Sequence, residues 1–269
     1  MNKIDYWFID SAIGIPQTFH GIIPYDRDFR AHRDRTPGIL TTNQIVEVMY
    51  HLFQDGLLSA ITPTDYQLLD SEHINNLSAK SFSPSRQEIK AALYREENLS
   101  GDSSFEPEFE EDDLIYFVTK QGGELWESVS QPKWNQYFRR NNNEWEFLST
   151  EIWDLYISRK SRIICGADRE IIKKIISIEH LLKYPQFIRY PIAIAGTEIW
   201  QTFTPWYPVY WKTLPCGYLV SYQVELVEVD EKIESANESP ELIEQIQQAE
   251  EWFWDITDWW RDYYTESND

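Results

Sequence analysis

Histidines stand at positions 20, 32, 51, 73 and 180 and cysteines at 165 and 216, the residue types from which metal and thiol chemistry is most often built. No two histidines share an H-x-x-x-H spacing, and no cysteine stands at ligand distance from another, so neither a zinc set nor a redox pair is spelled out. Cys165 closes the apolar run RIIC, where a thiol is ordinary core. Cys216, in the turn-like LPCGY, is the better candidate for a reactive thiol, although no histidine is near it in sequence. There is no G-x-S-x-G elbow, and the glycines at 122 and 123 follow neither the P-loop nor the dinucleotide spacing. General acid–base work needs a carboxyl group in apolar company. Glu198, between AIAGT and IW, and Asp154, within a strand-like run, have such company and are read as structural. No catalytic residue, cofactor or metal ion is therefore expected.

The segment TPWYPVYWKTLPCGY, residues 204–218, gathers Trp206, Tyr207, Tyr210, Trp211 and Tyr218 around Lys212. Aromatics at strand spacing ordinarily cover a sheet face. Tryptophan and tyrosine also anchor interfaces, and these six residues are the expected partner-binding patch. An enzyme hidden in the C-terminal half would instead need a deep pocket lined by Trp206, Tyr210, Lys212 or Glu198.

Charge narrows the choice of partner. The chain carries 24 Lys and Arg against 45 Asp and Glu, a formal net of −21 over 269 residues. Both halves share it: residues 1–150 hold 13 basic and 24 acidic side chains, and residues 151–269 hold 11 and 21. Such a field repels phosphate backbones and anionic lipid and steers basic protein surfaces inward. A hydrophobic fraction of 42% supports folding without disulfides, and two cysteines make no disulfide framework, so a reducing cytoplasm is the expected compartment. The N-terminal residues, with Asp5 and Asp10 breaking a short apolar run, lack the plan of a signal peptide. No run approaches the roughly 20 apolar residues of a membrane span.

The elements that must position these residues point to an α+β fold in two domains, 1–148 and 149–269. Helical spacing predicts a first helix over 4–13. A second, over 41–55, is capped by Thr41 or Thr42 and stopped at Asp55-Gly56. A third, over 83–97, takes Ser83 as cap and Pro84 as its first residue. An acidic run from Glu96 to Asp113 follows, with nine acids and no base. Residues 114–118, LIYFV, read as a strand buried partly on both faces, with 119–123 as a turn and a helix after it. Beyond 150, TEIWDLYISRKSRIIC, RYPIAIAG, PVYWK and GYLVSYQVELVEV read as strands, with TLPCG a turn and 166–184 a helix capped by Asp168. The last helix starts at Ser239-Pro240 and carries Leu242, Ile246, Ala249, Phe253, Ile256 and Trp260 on one stripe. Its remaining aromatics exceed what one stripe can bury.

The helix ending in DGLL, followed later by YFVTKQGGELW, resembles the winged helix-turn-helix domain over roughly residues 1–140. The resemblance departs from the family in one respect: about fifty residues interrupt what would be a short wing. Membership would imply DNA binding through the helix at 41–55 with Lys or Arg on the phosphates. Residues 36–79 contain neither, but do contain Glu47, Asp55, Asp65, Asp70 and Glu72. The expectation is therefore a non-catalytic, acidic protein-interaction protein, such as a bacterial immunity or regulatory factor, with a basic protein as partner and neither nucleic acid nor membrane. A winged-helix transcriptional regulator and an enzyme of the C-terminal half are the alternatives.

Overall fold

The structure, a computed structural model, describes residues 1–19, 40–67, 77, 80–99, 113–140, 158–182, 189–228 and 239–259. The fold is α+β, with helices and antiparallel sheets. The chain forms two compact units: Met1–Gln131 with Val209–Lys212 and Arg261–Asp269, and Pro132–Pro208 with Thr213–Trp260. The boundary expected at 148/149 falls outside the described residues, as do Asp154 and most of the acidic run.

In the first unit, α1 (Lys3–Ser11), α2 (Thr42–Gln54), α3 (Pro63–Gln67), α4 (Arg86–Leu99) and α5 (Lys120–Ser130) accompany strands β1 (Gln17–Thr18), β2 (Leu58–Ile61) and β3 (Ile115–Val118). The strands form an antiparallel sheet in the order β1-β3-β2, with Leu58 opposite Val118 and Ile61 opposite Ile115. All four residues of β3 are buried, because the central strand is covered on both faces. Ile115 and Phe117 join Ile61 and Leu77 in one apolar cluster. Tyr116, pointing the other way, hydrogen-bonds Ser11 Oγ at 2.8 Å. α2 is built as the sequence implies. Thr41 and Gln44 form a reciprocal capping box, Ile45, Met49, Leu52 and Phe53 face inward, and Gly56 takes φ +69° past the end.

Two local expectations are corrected. α4 begins at Arg86, and its cap is Ser85 rather than Ser83. Ser85 N–H donates to Glu88 Oε2 at 2.7 Å and Glu88 N–H donates to Ser85 Oγ at 3.3 Å, a second capping box, and Pro84 precedes the cap instead of opening the helix. The glycines at 122 and 123 are not a turn. They lie in the first turn of α5, whose cap is Thr119. A Cβ on Gly122 would stand 2.1 Å from the Leu57 carbonyl oxygen, and one on Gly123 would stand 2.1 Å from the Trp211 ring. Close approach, not backbone conformation, is what demands glycine here.

In the second unit, β4 (Phe138–Arg140), β5 (Ser158–Gly166), β6 (Arg189–Ala193) and β10 (Gly217–Glu228) are ordered β4-β5-β10-β6. Strand β7 (Ile199–Phe203), which sequence reading did not single out, also pairs with β10, on Gly217 to Ser221, while β6 takes Val224 to Glu228. Helix α6 (Arg169–Ile178), capped by Asp168, lays Ile172, Ile175 and Ile176 on Ile164, Val220, Tyr222 and Val224. Helix α7 (Pro240–Thr257), capped by Ser239, adds Ile256 to the same core. The expected strand PVYWK is instead a hairpin: β8 (Trp206–Val209) and β9 (Lys212–Leu214) pair, with Tyr210 and Trp211 in the turn between them.

Candidate functional site

The six aromatic and basic residues expected to meet a partner divide between the two units. Tyr210, Trp211 and Lys212 belong to the first, where each is engaged within the chain. Tyr210 donates its hydroxyl to Ala12 O at 2.5 Å and accepts from Val118 N–H at 2.7 Å. Trp211 Nε1 donates to Ile13 O at 2.9 Å, and its ring meets Trp126 edge-on at a centroid distance of 6.2 Å. Lys212 Nζ pairs with Glu127 at 2.5 Å. In the second unit, the Trp206 ring fills the space where Gly217 lacks a side chain and stacks obliquely at 6.1 Å on Tyr137. Tyr218 is half-buried. Tyr207 is 46% exposed, the one ring of the six turned well into solvent.

The geometry at Tyr210 makes this a clasp inside the first unit. Although the residue as a whole is half-buried, its hydroxyl is enclosed, and burial holds the phenol well above its ordinary value near 10.0. The folded state thus favours the neutral phenol. The stabilisation is fully present below the unfolded tyrosine pKa of about 10 and is lost as pH rises through the higher folded value. Tyr210→Phe, which strips two backbone groups of their partner, is expected to lower the stability of the first unit by about 1–3 kcal/mol at neutral pH. Tyrosinate absorbance should show no contribution from this residue until alkaline unfolding. A variant as stable as the parent would contradict the clasp.

A separate, open groove of about 550 Å³ lies in the second unit between α6 and the β6–β7 strands. Ile176, Ala193 and Trp200 line it with apolar surface, while Lys173, Ser177, His180 and Glu198 supply polar atoms. Of the four residues that an enzyme reading placed in a deep pocket, Glu198 is found here, and Trp206, Tyr210 and Lys212 are not among the lining residues. Lys173 pairs with Glu170 at 2.6 Å, and the Arg169 guanidinium lies 4.5 Å over Trp200.

The charged group that sequence reading missed is Glu179. It is fully buried, ion-paired with Arg162, and accepts from Tyr222 OH at 2.5 Å. Arg162 and Tyr222 are direct cross-strand neighbours of β5 and β10, so both donors reach one face of the sheet together. A signal existed: Glu179 continues the inward positions of Ile172, Ile175 and Ile176 by one further helical step, where an acid demands a partner. With Glu179 and Tyr222 buried and the Arg162 side chain 14% exposed, the trio orients structure.

The thiols are similarly unexceptional. Both cysteines are half-buried, and burial pushes the Cys165 thiol up, away from the reactive thiolate. A hydrogen bond with Cys216 raises the Tyr218 phenol. Among the described residues no cluster of three His, Cys, Asp or Glu is disposed to hold a metal, and no helix is long and apolar enough to cross a membrane.

The most exposed large apolar surface on a helix is on α7. Its C-terminal half is seated by Ala249 and Ile256, with Lys174 lying 4.0 Å over Trp252 and Phe253 meeting Phe138 at 5.8 Å. Leu242, Ile243 and Trp254 are 38%, 40% and 67% exposed. An exposed tryptophan on an acidic helix can bury a large apolar surface against another molecule while carboxylates attract basic groups. No protein-family model, no curated protein and no solved structure matches the chain.

Proposed function

We propose that the chain is a non-catalytic, acidic protein-interaction protein that binds a basic protein, as a bacterial immunity or regulatory factor would, and that its first unit is a winged-helix-like module. The winged-helix reading is supported by α2 leading into β2 and by β3, which follows α3 and α4 in the chain, lying between β1 and β2. The observation that carries the choice of partner is the outward side of α2. Asn43, Gln44, Glu47, His51, Gln54 and Asp55 are exposed there, with no Lys or Arg among them. Arg86 reaches this side from α4, but its guanidinium grips Glu47 through contacts of 2.8–3.0 Å and lies 3.6 Å over the Tyr50 ring. Glu47 is held below the usual carboxylate range by that hydrogen bond to Arg86. A helix meant for a phosphate backbone needs cations free to replace its counterions. This one presents the Asp55 carboxylate, amides and an imidazole, with Glu47 already neutralised by Arg86, and offers no cation to a phosphate.

Affinity capture with the tagged full chain tests the reading. A basic protein should be retained at low salt and released as salt is raised, because the attraction is screened. A pool of random DNA fragments should show no gel shift under the same conditions. Recovery of bait alone, or a shift of the DNA, would overturn the proposal.

A further inference from the structure

Helix α7 carries one apolar stripe in two environments. Leu242, Ile246, Ala249, Phe253 and Ile256 follow each other by four, three, four and three residues, the spacing of a coiled-coil seam. Ala249 and Ile256 are 5% and 3% exposed against the core of the second unit. Toward the N-terminus the same seam runs off the covered region. Residues 239–245 are all exposed, Leu242 and Ile243 among them, and Ile246 is half-buried.

A second line of side chains runs beside the seam. At about 100° per residue, Ile243 and Trp254 point within about 20° of each other, and Glu250 falls between them. They are separated by about 16 Å along the axis. Along its length the face thus reads Ile243, Gln247, Glu250 and Trp254, apolar at both ends with an amide and a half-buried acid between them, and Ile246 lies alongside. Glu241, Glu244, Glu250, Glu251 and Asp255 give the helix five acids, and it has no base.

We propose that this face of α7 is a docking surface for a basic amphipathic helix of a protein partner. Ile243, Ile246 and Trp254 are its apolar anchors, and a Lys or Arg of the partner meets Glu250 between them. The proposal rests on the reading of the chain as a binder of basic proteins and adds a surface on the second unit to the α2 side of the first. Charge selects the occupant. A second copy of the chain would bring another helix of five acids and no base and leave Glu250, the acid on this face, without a countercharge, whereas a basic helix supplies one. The line Ile243, Gln247, Glu250 and Trp254 repeats by four, three and four residues, a period that packs along another helix and so selects the form of the partner. The exposed tryptophan supplies the kind of side chain on which interface energy concentrates.

The test uses the full chain and a labelled synthetic helix with a leucine stripe flanked by lysines, with its glutamate-flanked counterpart as control, read by fluorescence anisotropy. The lysine helix should bind and the glutamate helix should not. Ile243→Ala with Trp254→Ala should weaken binding at least tenfold while the circular dichroism is unchanged. Glu250→Lys should weaken the lysine helix and restore binding to a helix carrying glutamate at the matching position. Equal affinity of parent and double variant would overturn the proposal. So would sedimentation of the parent as a dimer that the double variant abolishes, since the occupant would then be a second copy. Affinity capture repeated with the double variant separates the two readings. A basic protein held equally by parent and variant leaves the function standing and removes this surface. A basic protein held by neither removes the function, while the peptide titration still judges the surface.

Discussion

Glu179→Ala is expected to cost the second unit about 3–5 kcal/mol, because it leaves a buried guanidinium without its countercharge. Glu179 is wholly enclosed and the Arg162 side chain is 14% exposed, so water cannot readily take over the lost pairing. Tyr222 OH would lose its acceptor in the same change. Urea unfolding followed by hydrogen exchange at the amides of β5 and β10 reports the loss where it arises. The companion experiment replaces the whole trio by apolar residues of similar volume, Arg162→Met, Glu179→Leu and Tyr222→Phe. That variant should be more stable than the single one, since a buried charge with no partner is worse than no charge. A loss below about 1 kcal/mol for Glu179→Ala would mean that the pair is solvated in solution, where such contacts are worth little.

Trp126→Ala should destabilise the first unit by about 3–5 kcal/mol, the usual range for truncating a buried large aromatic. The residue is 0% exposed on α5, its indole N–H donates to Asp10 Oδ1 at 2.8 Å, and its ring meets Trp211. Trp126→Phe separates the two contributions. It keeps most of the packing and removes the hydrogen bond to a carboxylate, a contact worth about 1.5–3 kcal/mol. Thermal or urea unfolding of the two variants should therefore rank them parent, phenylalanine, alanine. If phenylalanine matched the parent, the Asp10 contact would carry no net energy and packing alone would set the role of Trp126.

Much of the local structure was legible in the chain because its causes are local. The threonine cap of α2, the stop at Gly56, Asp168 ahead of α6 and Ser239-Pro240 ahead of α7 all act within one turn of where they stand. Strand β3 was legible for the same reason, its unbroken apolar run requiring cover on both faces. The glycines at 122 and 123 misled because the turn that glycine favours and the close contact it permits look alike in sequence. The atoms that exclude a Cβ, Leu57 O and the Trp211 ring, lie 65 and 88 residues away from the glycines they face. Strand β7 escaped notice because IWQTF is exposed at four of its five positions and has no alternation of apolar and polar residues.

The aromatic segment at 204–218 shows the same division most clearly. Its composition was enough to mark it as energetically important, and Tyr210, Trp211 and Lys212 are indeed tightly engaged. Whether they engage the chain itself or another molecule depends on backbone groups at Ala12, Ile13 and Val118 and on Glu127, which no pattern in 204–218 reveals. The sequence by itself determined the caps of α2, α6 and α7, the acidic field and the absence of common catalytic motifs, since these follow from residue types and short spacings. Tertiary structure alone decided which aromatics are spent inside and which face out. Burial is a property of what lies opposite a side chain, and for Trp254, 67% exposed although Ile256 two residues on is packed into the core, the described residues place nothing there that covers it.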